Sequence, residues 1–180
     1  GKLNLFDCDR KALESYFADI GEKSFRAHQL LKWIYQHGVI NIESMSNLSN
    51  DLRAYLKENT SVKLPEIITE KKSKDGTKKW LIKVDEKNSI ETVFIPENDR
   101  GTLCISTQVG CALDCKFCST AQQGFSRNLT TSEIIGQVWV ANKILGHFEN
   151  GERMITNIVF MGMGEPLLNY DNVLKAINLM

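Results

Sequence analysis

Apolar and polar positions change their period twice along the chain, and each change marks a different kind of structure. Up to about residue 60 the spacing is helical. Asp9 is placed as an N-cap, and Leu13, Tyr16, Phe17 and Ile20 form one apolar stripe that stops at Gly21. Ser24 is placed to cap a second helix through Leu30, Leu31, Trp33 and Ile34, ending near Gly38. A third, shorter helix carries Leu52, Tyr55 and Leu56. Together these predict a small helical accessory domain over 1–62, a module that names no function.

After Pro65 the period becomes two. Ile67 to Lys72 and Lys78 to Val84 flank Asp75-Gly76, a hairpin signal because glycine accepts the positive φ of the turn. Ser89 to Ile95 reads as a third strand, with Ile90, Thr92 and Phe94 on one face and Glu91, Val93 and Ile95 on the other. Pro96 with Asn98-Asp99 is expected to end this antiparallel segment, which spans 63–98.

From Gly101 the rhythm is strand, loop, helix, strand. Leu103 to Thr107 forms a short strand, and Thr130-Thr-Ser-Glu133 fits a capping box. The helix behind the box sets Ile134, Ile135, Val138, Ala141, Ile144 and Leu145 on one side and stops at Gly146. Ile155 to Phe160 reads as a buried strand, and Asp171 opens a last helix with Val173, Leu174 and Ile177, still open at Met180 as in a piece of a longer chain. The class is α/β, with 99–180 holding one βαβ unit and the start of another helix.

Composition narrows the function classes. Hydrophobic residues make up 42% and charged residues 24% of the 180 positions, ordinary for a chain with a real core. No apolar run approaches the roughly 20 residues of a membrane helix, and the first residues lack a signal-peptide layout, so cytoplasm is expected. The 22 basic and 22 acidic side chains cancel, so overall charge gives a nucleic-acid partner no support. Lys71, Lys72, Lys74, Lys78 and Lys79 do crowd one hairpin, either as a solvated face or as a contact for an RNA backbone.

The chemistry concentrates in Cys111-Ala-Leu-Asp-Cys115-Lys-Phe-Cys118. The count of five cysteines is odd, and three stand between positions 111 and 118, which argues for a metal rather than disulfides. Gaps of three and two residues let one loop aim three thiolates at a common centre. Tetrahedral zinc or a fully ligated iron–sulfur cubane needs a fourth ligand, so three leave one position open. On spacing alone, inert buried cysteines and a zinc knuckle completed by Cys104 are the alternatives. Downstream, Met161-Gly-Met-Gly-Glu-Pro166 places glycines where backbone could approach a ligand, beside a carboxylate able to hold an ammonium group.

The cysteine run resembles the CxxxCxxC signature of radical S-adenosylmethionine enzymes, whose 4Fe–4S cluster keeps one iron free for that cofactor. Gly164-Glu165-Pro166 is similar to the motif that contacts the cofactor's amino group. The longer string from Gly110 through Gln122-Gln-Gly-Phe125, then Arg127-Asn-Leu-Thr130, resembles the dual-specificity RNA methyltransferases of that superfamily. Those enzymes methylate C2 of an adenosine in 23S ribosomal RNA and in certain transfer RNAs. The C8-methylating relative differs in the stretch after the last cysteine, where this chain reads Ser119-Thr-Ala-Gln-Gln123. The likeness extends from Gly21–Arg26 through Trp33 and Ile90–Pro96 to Gly164–Asn169.

The resemblance implies a partial (β/α) barrel over 99–180. It makes Cys111, Cys115 and Cys118 ligands of a 4Fe–4S cluster, and Gly164 and Glu165 contacts of S-adenosyl-L-methionine. Glu91 takes the place of the proton acceptor. Cys104 takes that of the cysteine that resolves a covalent protein–RNA intermediate. The methyl-carrying cysteine belongs to a later part of such proteins, outside these 180 residues. 23S rRNA and tRNA, an electron donor of the flavodoxin type, no membrane and a monomeric state complete what it implies. A closed Fe–S or zinc module and another radical enzyme on the same loop are the competing readings. Cys8 has no chemical role in any of them.

Overall fold

The computed structural model describes residues 1–109 and 127–161. Cys111, Cys115, Cys118, Gly164, Glu165 and the helix expected after Asp171 lie outside those residues.

The first part carries the three expected helices. β1 (Leu3–Asn4) is followed by α1 (Arg10–Asp19), α2 (Phe25–Tyr35) and α3 (Asn50–Asn59), and β2 (Thr60–Ser61) pairs in parallel with β1. Asp9 Oδ1 accepts from the Ala12 N–H at 2.8 Å and Ser49 Oγ from Leu52 N–H at 3.2 Å, so both caps satisfy a donor that the helix leaves unpaired. Ser24 does not act as expected. Its backbone is already helical, at φ −60° and ψ −30°, and Ala27 N–H bonds to its carbonyl, so its hydroxyl makes no capping bond. Phe6, Leu13, Phe17, Leu30, Ile34, Tyr35, Leu52 and Leu56 are almost wholly inaccessible and form the core of this part. Each such side chain contributes about 1.5–3 kcal/mol by leaving water.

The second part is built on a five-stranded sheet. β3 (Glu66–Lys72), β4 (Lys78–Lys83), β5 (Ser89–Pro96) and β6 (Gly101–Ser106) run antiparallel in order. Past β6 come the short pair β7 (Gln108–Val109) and β8 (Arg127–Asn128), then α4 (Thr131–Ile144), α5 (His147–Asn150) and β9 (Asn157–Met161). β9 returns to lie parallel to β6, which gives the order β3-β4-β5-β6-β9. Gly76, at φ +90°, closes the first hairpin as predicted.

Pro96 does not end the sheet. Glu97 and Arg100 bond to each other's backbone and turn the chain back, and Pro96 stands opposite Gly101. A Cβ on Gly101 would lie 1.9 Å from the Met154 carbonyl and 2.7 Å from the Phe94 ring, so only glycine fits this return. The antiparallel segment and the first parallel strand therefore share one continuous ladder.

Helix α4 starts with the predicted box, Thr130 Oγ1 accepting from Glu133 N–H while Glu133 accepts from Thr130 N–H. It was expected to be apolar on one side, and it is buried on two. Ile134, Val138 and Ala141 join the sheet core with Trp80, Ile82, Phe94, Leu103 and Ile105. Ile135, Trp139 and Val140 join the helical core. Ile144, expected on the apolar side, is exposed. Trp139 Nε1 donates to the Ile34 carbonyl at 2.9 Å, and Ser132 N–H donates to Asp7 Oδ1 at 3.0 Å, so α4 bolts the two parts together.

β9 is also less buried than its apolar run suggests. Ile158 and Phe160 pack toward α4, while Val159 is 47% exposed on the other face. Among the described residues β9 is an edge strand, and no element covers that face there.

Candidate active site

The ends of two parallel strands define the site. β6 and β9 pair in register from Thr102 with Asn157 to Ser106 with Met161, so their carboxyl ends lie side by side. Just past that pair, Thr107 donates through both its N–H (3.2 Å) and its Oγ1 (3.0 Å) to the Met161 carbonyl. The segment with the three cysteines and the segment with Gly164-Glu165 both follow from this one edge, where parallel sheets gather ligands. β7 and β8 set Val109 opposite Arg127, which fixes where the cysteine segment starts and ends.

Gln137 secures that edge from behind. Its side chain is inaccessible, and its amide is bonded to strands β5 and β6. Oε1 accepts from Thr92 Oγ1 and from Ser106 N–H, each at 2.9 Å, and Nε2 donates to the Ser106 carbonyl at 2.9 Å. A buried amide with both ends engaged fixes strand position rather than merely tolerating burial. A glutamine within the Ile134–Ala141 stripe was the available signal, and sequence reasoning passed over it.

Glu91 and Cys104 stand on the sheet face away from α4. Cys104 is the cross-strand partner of Val93 on β5 and of Val159 on β9. Glu91 is two residues from Val93 and so shares its face, roughly 7–8 Å on the diagonal from Cys104. Ser106 Oγ donates to the Glu91 carbonyl at 2.7 Å, which places Glu91 level with the carboxyl end of β6. A carboxylate in a strand is usually on a solvated edge. Here β5 is the middle strand of the five, and the Glu91 side chain is only 25% exposed. Its Oε2 lies 3.1 Å from Lys79 Nζ. Burial raises the Cys104 thiol above its ordinary range, which keeps it protonated at rest.

The lysine cluster is thus divided. Lys79 faces Glu91, whereas Lys71, Lys72 and Lys74 are exposed along the hairpin. Cys8 is buried, and burial, then Asp7 and Asp9, push its thiol up to about 11.

At the base of the cysteine segment Arg127 binds two carboxylates. It reaches Glu133 through Nη1 (2.8 Å) and Nη2 (2.9 Å), and Asp85 through Nη2 (2.9 Å) and Nε (3.3 Å). The Asn88 amide and then Arg127 hold Asp85 well below the usual carboxylate range. Burial works to raise Glu133, but Arg127 and the Thr130 N–H outweigh it and hold that group low as well. The planar fork of Arg127 suits two acceptors, and it ties β8 both to the β4–β5 connection and to the first turn of α4.

Among the described residues no group of three or more His, Cys, Asp or Glu side chains gathers to hold a metal ion, and no helix is long and apolar enough to cross a membrane. The donor set that fits a metal is the cysteine triplet itself. Three thiolates suit a soft iron–sulfur centre, and the strand ends that bracket them form the edge where such a ligand would sit.

Residues 3–62 match the family model of the ribosomal RNA large subunit methyltransferase N-terminal domain, and residues 105–180 match that of the radical SAM superfamily. Two similar curated proteins are called dual-specificity RNA methyltransferase RlmN. The one from Alkalilimnicola ehrlichii is 59% identical over 179 residues, and the one from Marinobacter nauticus is 53% identical over 179 residues. Each alignment takes in 99% of this chain but 49% and 48% of the relative, respectively. The chain spans about half the length of the curated relatives it matches. A crystal structure of a radical SAM methyltransferase from Sphaerobacter thermophilus superposes with a TM-score of 0.78 at 35% identity, over 98% of this chain and 51% of that one.

Proposed function

Because the chain belongs to the RlmN family of radical SAM methyltransferases, we propose that the protein methylates C2 of adenosine in 23S ribosomal RNA and in transfer RNA. Residues 1–62 are its accessory part, 63–98 the antiparallel flank and 99–180 the first part of its barrel. Cys111, Cys115 and Cys118 would hold a 4Fe–4S cluster, and Gly164 and Glu165 would hold S-adenosyl-L-methionine. Bound there, these groups supply the radical chemistry that an unreactive ring carbon requires. The chain's own residues do the rest. Glu91 accepts the ring proton, and Cys104 frees the product from a methyl-carrying cysteine outside these 180 residues. The protein works as a monomer in the cytoplasm, with an electron donor of the flavodoxin type.

One observation carries this reading. Glu91 and Cys104 share a sheet face, and Glu91 stands at the strand edge from which both cofactor segments depart. A closed four-thiolate module would need Cys104 as a ligand. Cys104 stands in the ladder between Val93 and Val159, on the face it shares with Glu91.

The test uses the full-length protein, purified and reconstituted without oxygen. S-adenosylmethionine is expected to perturb the cluster's spectrum, and nucleoside analysis of incubated 23S rRNA and tRNA to reveal 2-methyladenosine. A cluster that ignores the cofactor, bound zinc in place of iron, or a product methylated at C8 would each defeat the proposal.

A further inference from the structure

We propose that Lys79 is a positioning residue for Glu91: it holds the carboxylate by one oxygen so that the other faces the reacting base. The inference rests on the reading of Glu91 as the proton acceptor. Its ground is the side-chain arrangement on the face away from α4. On that face Leu81, its cross-strand partner, and Val93, two residues along its own strand, are apolar, Ser106 is engaged with the Glu91 carbonyl, and Lys83 stands on the other diagonal. Apolar neighbours do not orient a carboxylate. Lys79 does, with Nζ 3.1 Å from Oε2, and among the described residues no other hydrogen bond or ion pair reaches the Glu91 carboxylate. Oε1 is left to take a proton.

The pairing follows from strand register. Lys79 stands directly opposite Lys71 on β3 and Val93 on β5. Two ammonium groups opposed across a ladder repel. The diagonal reach to Glu91 relieves that repulsion, and among the described residues it is the one ion pair that Lys79 makes. Lys71 and Lys72 extend along an exposed edge strand, whereas Lys79 lies inside the sheet, its side chain 36% exposed against Glu91. An ion pair this accessible adds little to stability, so direction is its main effect. Small displacement of a base is costly in rate, because proton transfer demands hydrogen-bond reach.

The experiment is a kinetic comparison in the full-length, reconstituted protein of Lys79→Met, Lys79→Gln, Lys79→Arg and Glu91→Gln. RNA affinity is measured separately by anisotropy on protein without S-adenosylmethionine. The Met and Gln variants are expected to lose about tenfold to a hundredfold in kcat. KM and RNA affinity should stay within about twofold. Lys79→Arg should recover most of the rate, since guanidinium also binds a carboxylate. If KM and RNA affinity weaken while kcat holds, Lys79 is an RNA backbone contact and the inference is overturned. Wild-type rates in both neutral variants, with Glu91→Gln inactive, overturn the inference and leave the base intact. Wild-type rates in Glu91→Gln remove the base assignment itself, and the inference with it.

Discussion

Gln137 and Ser106 clasp each other at a single peptide position: the Gln137 amide accepts the Ser106 N–H and donates to the Ser106 carbonyl, both at 2.9 Å. Beside them the Thr92 hydroxyl donates to the same amide oxygen. Gln137 and Thr92 are fully buried, so solvent does not readily replace a partner lost on the glutamine side. Gln137→Leu is therefore expected to destabilise the protein by about 3 kcal/mol, since buried groups left unpaired cost roughly 1–3 kcal/mol each. Urea unfolding measures it. A change below about 0.5 kcal/mol, the usual size for a surface substitution, would show that the clasp is idle.

Arg127 makes the base of the cysteine segment sensitive to acid. Glu133 and Asp85 both titrate below their ordinary range, so each contributes stability that is complete above the unfolded carboxylate value of about 4 and is lost as pH falls below it. The melting temperature should drop more steeply below pH 4 in the parent than in Arg127→Leu, where the two carboxylates have no guanidinium to hold them low. Parallel slopes between pH 3 and 6 would contradict this.

Trp139 reaches out of α4 to the Ile34 carbonyl, near the end of α2 where helix carbonyls have lost their own donors. Its ring packs between Phe6, at 6.1 Å, and Phe148, at 5.4 Å between centroids. Trp139→Phe keeps an aromatic ring and removes the donor. The expected loss is about 1–3 kcal/mol, the penalty for a buried acceptor left open. Amide exchange should speed up at the end of α2 before it does in the sheet. Uniform exchange would mean that the two cores are not joined there.

Gly101 tests the turn between β5 and β6. A methyl group at that position collides with backbone, at 1.9 Å from the Met154 carbonyl, so side-chain adjustment cannot relieve it. Gly101→Ala is expected to cost more than the 1–3 kcal/mol of ordinary overpacking, or about 3 kcal/mol upward. A variant that melts within a degree or two of the parent would refute the clash.

Much of this architecture can be read from local signals. The caps at Asp9 and Thr130 and the turn at Gly76 depend on residues a few positions apart, and they form where the spacing places them. The two faces of β5 follow from strict alternation, which set Glu91 apart from Ile90 and Thr92. What could not be read depends on distant partners. The sheet continues past Pro96 because β6 finds β5 across a turn and β9 across a helix. Helix α4 is wrapped on two sides because two cores meet on it, and a single stripe of apolar residues carries no information about a second neighbour. Lys79 looked like one of five hairpin lysines until register set it beside Glu91. The cysteine spacing points to a metal and, with the family resemblance, to a cluster, whereas Gln137 and Arg127 become meaningful only once strands β5 to β8 are assembled.

The facing of Val109 and Arg127 has an entropic consequence. A flexible stretch must ordinarily surrender freedom to bring its two ends together, a loss that grows with the logarithm of its length. Here a two-residue ladder and a doubly anchored guanidinium have already made that sacrifice during folding. On the proposed cluster assignment, severing the ladder is expected to weaken metal uptake without touching a single cysteine.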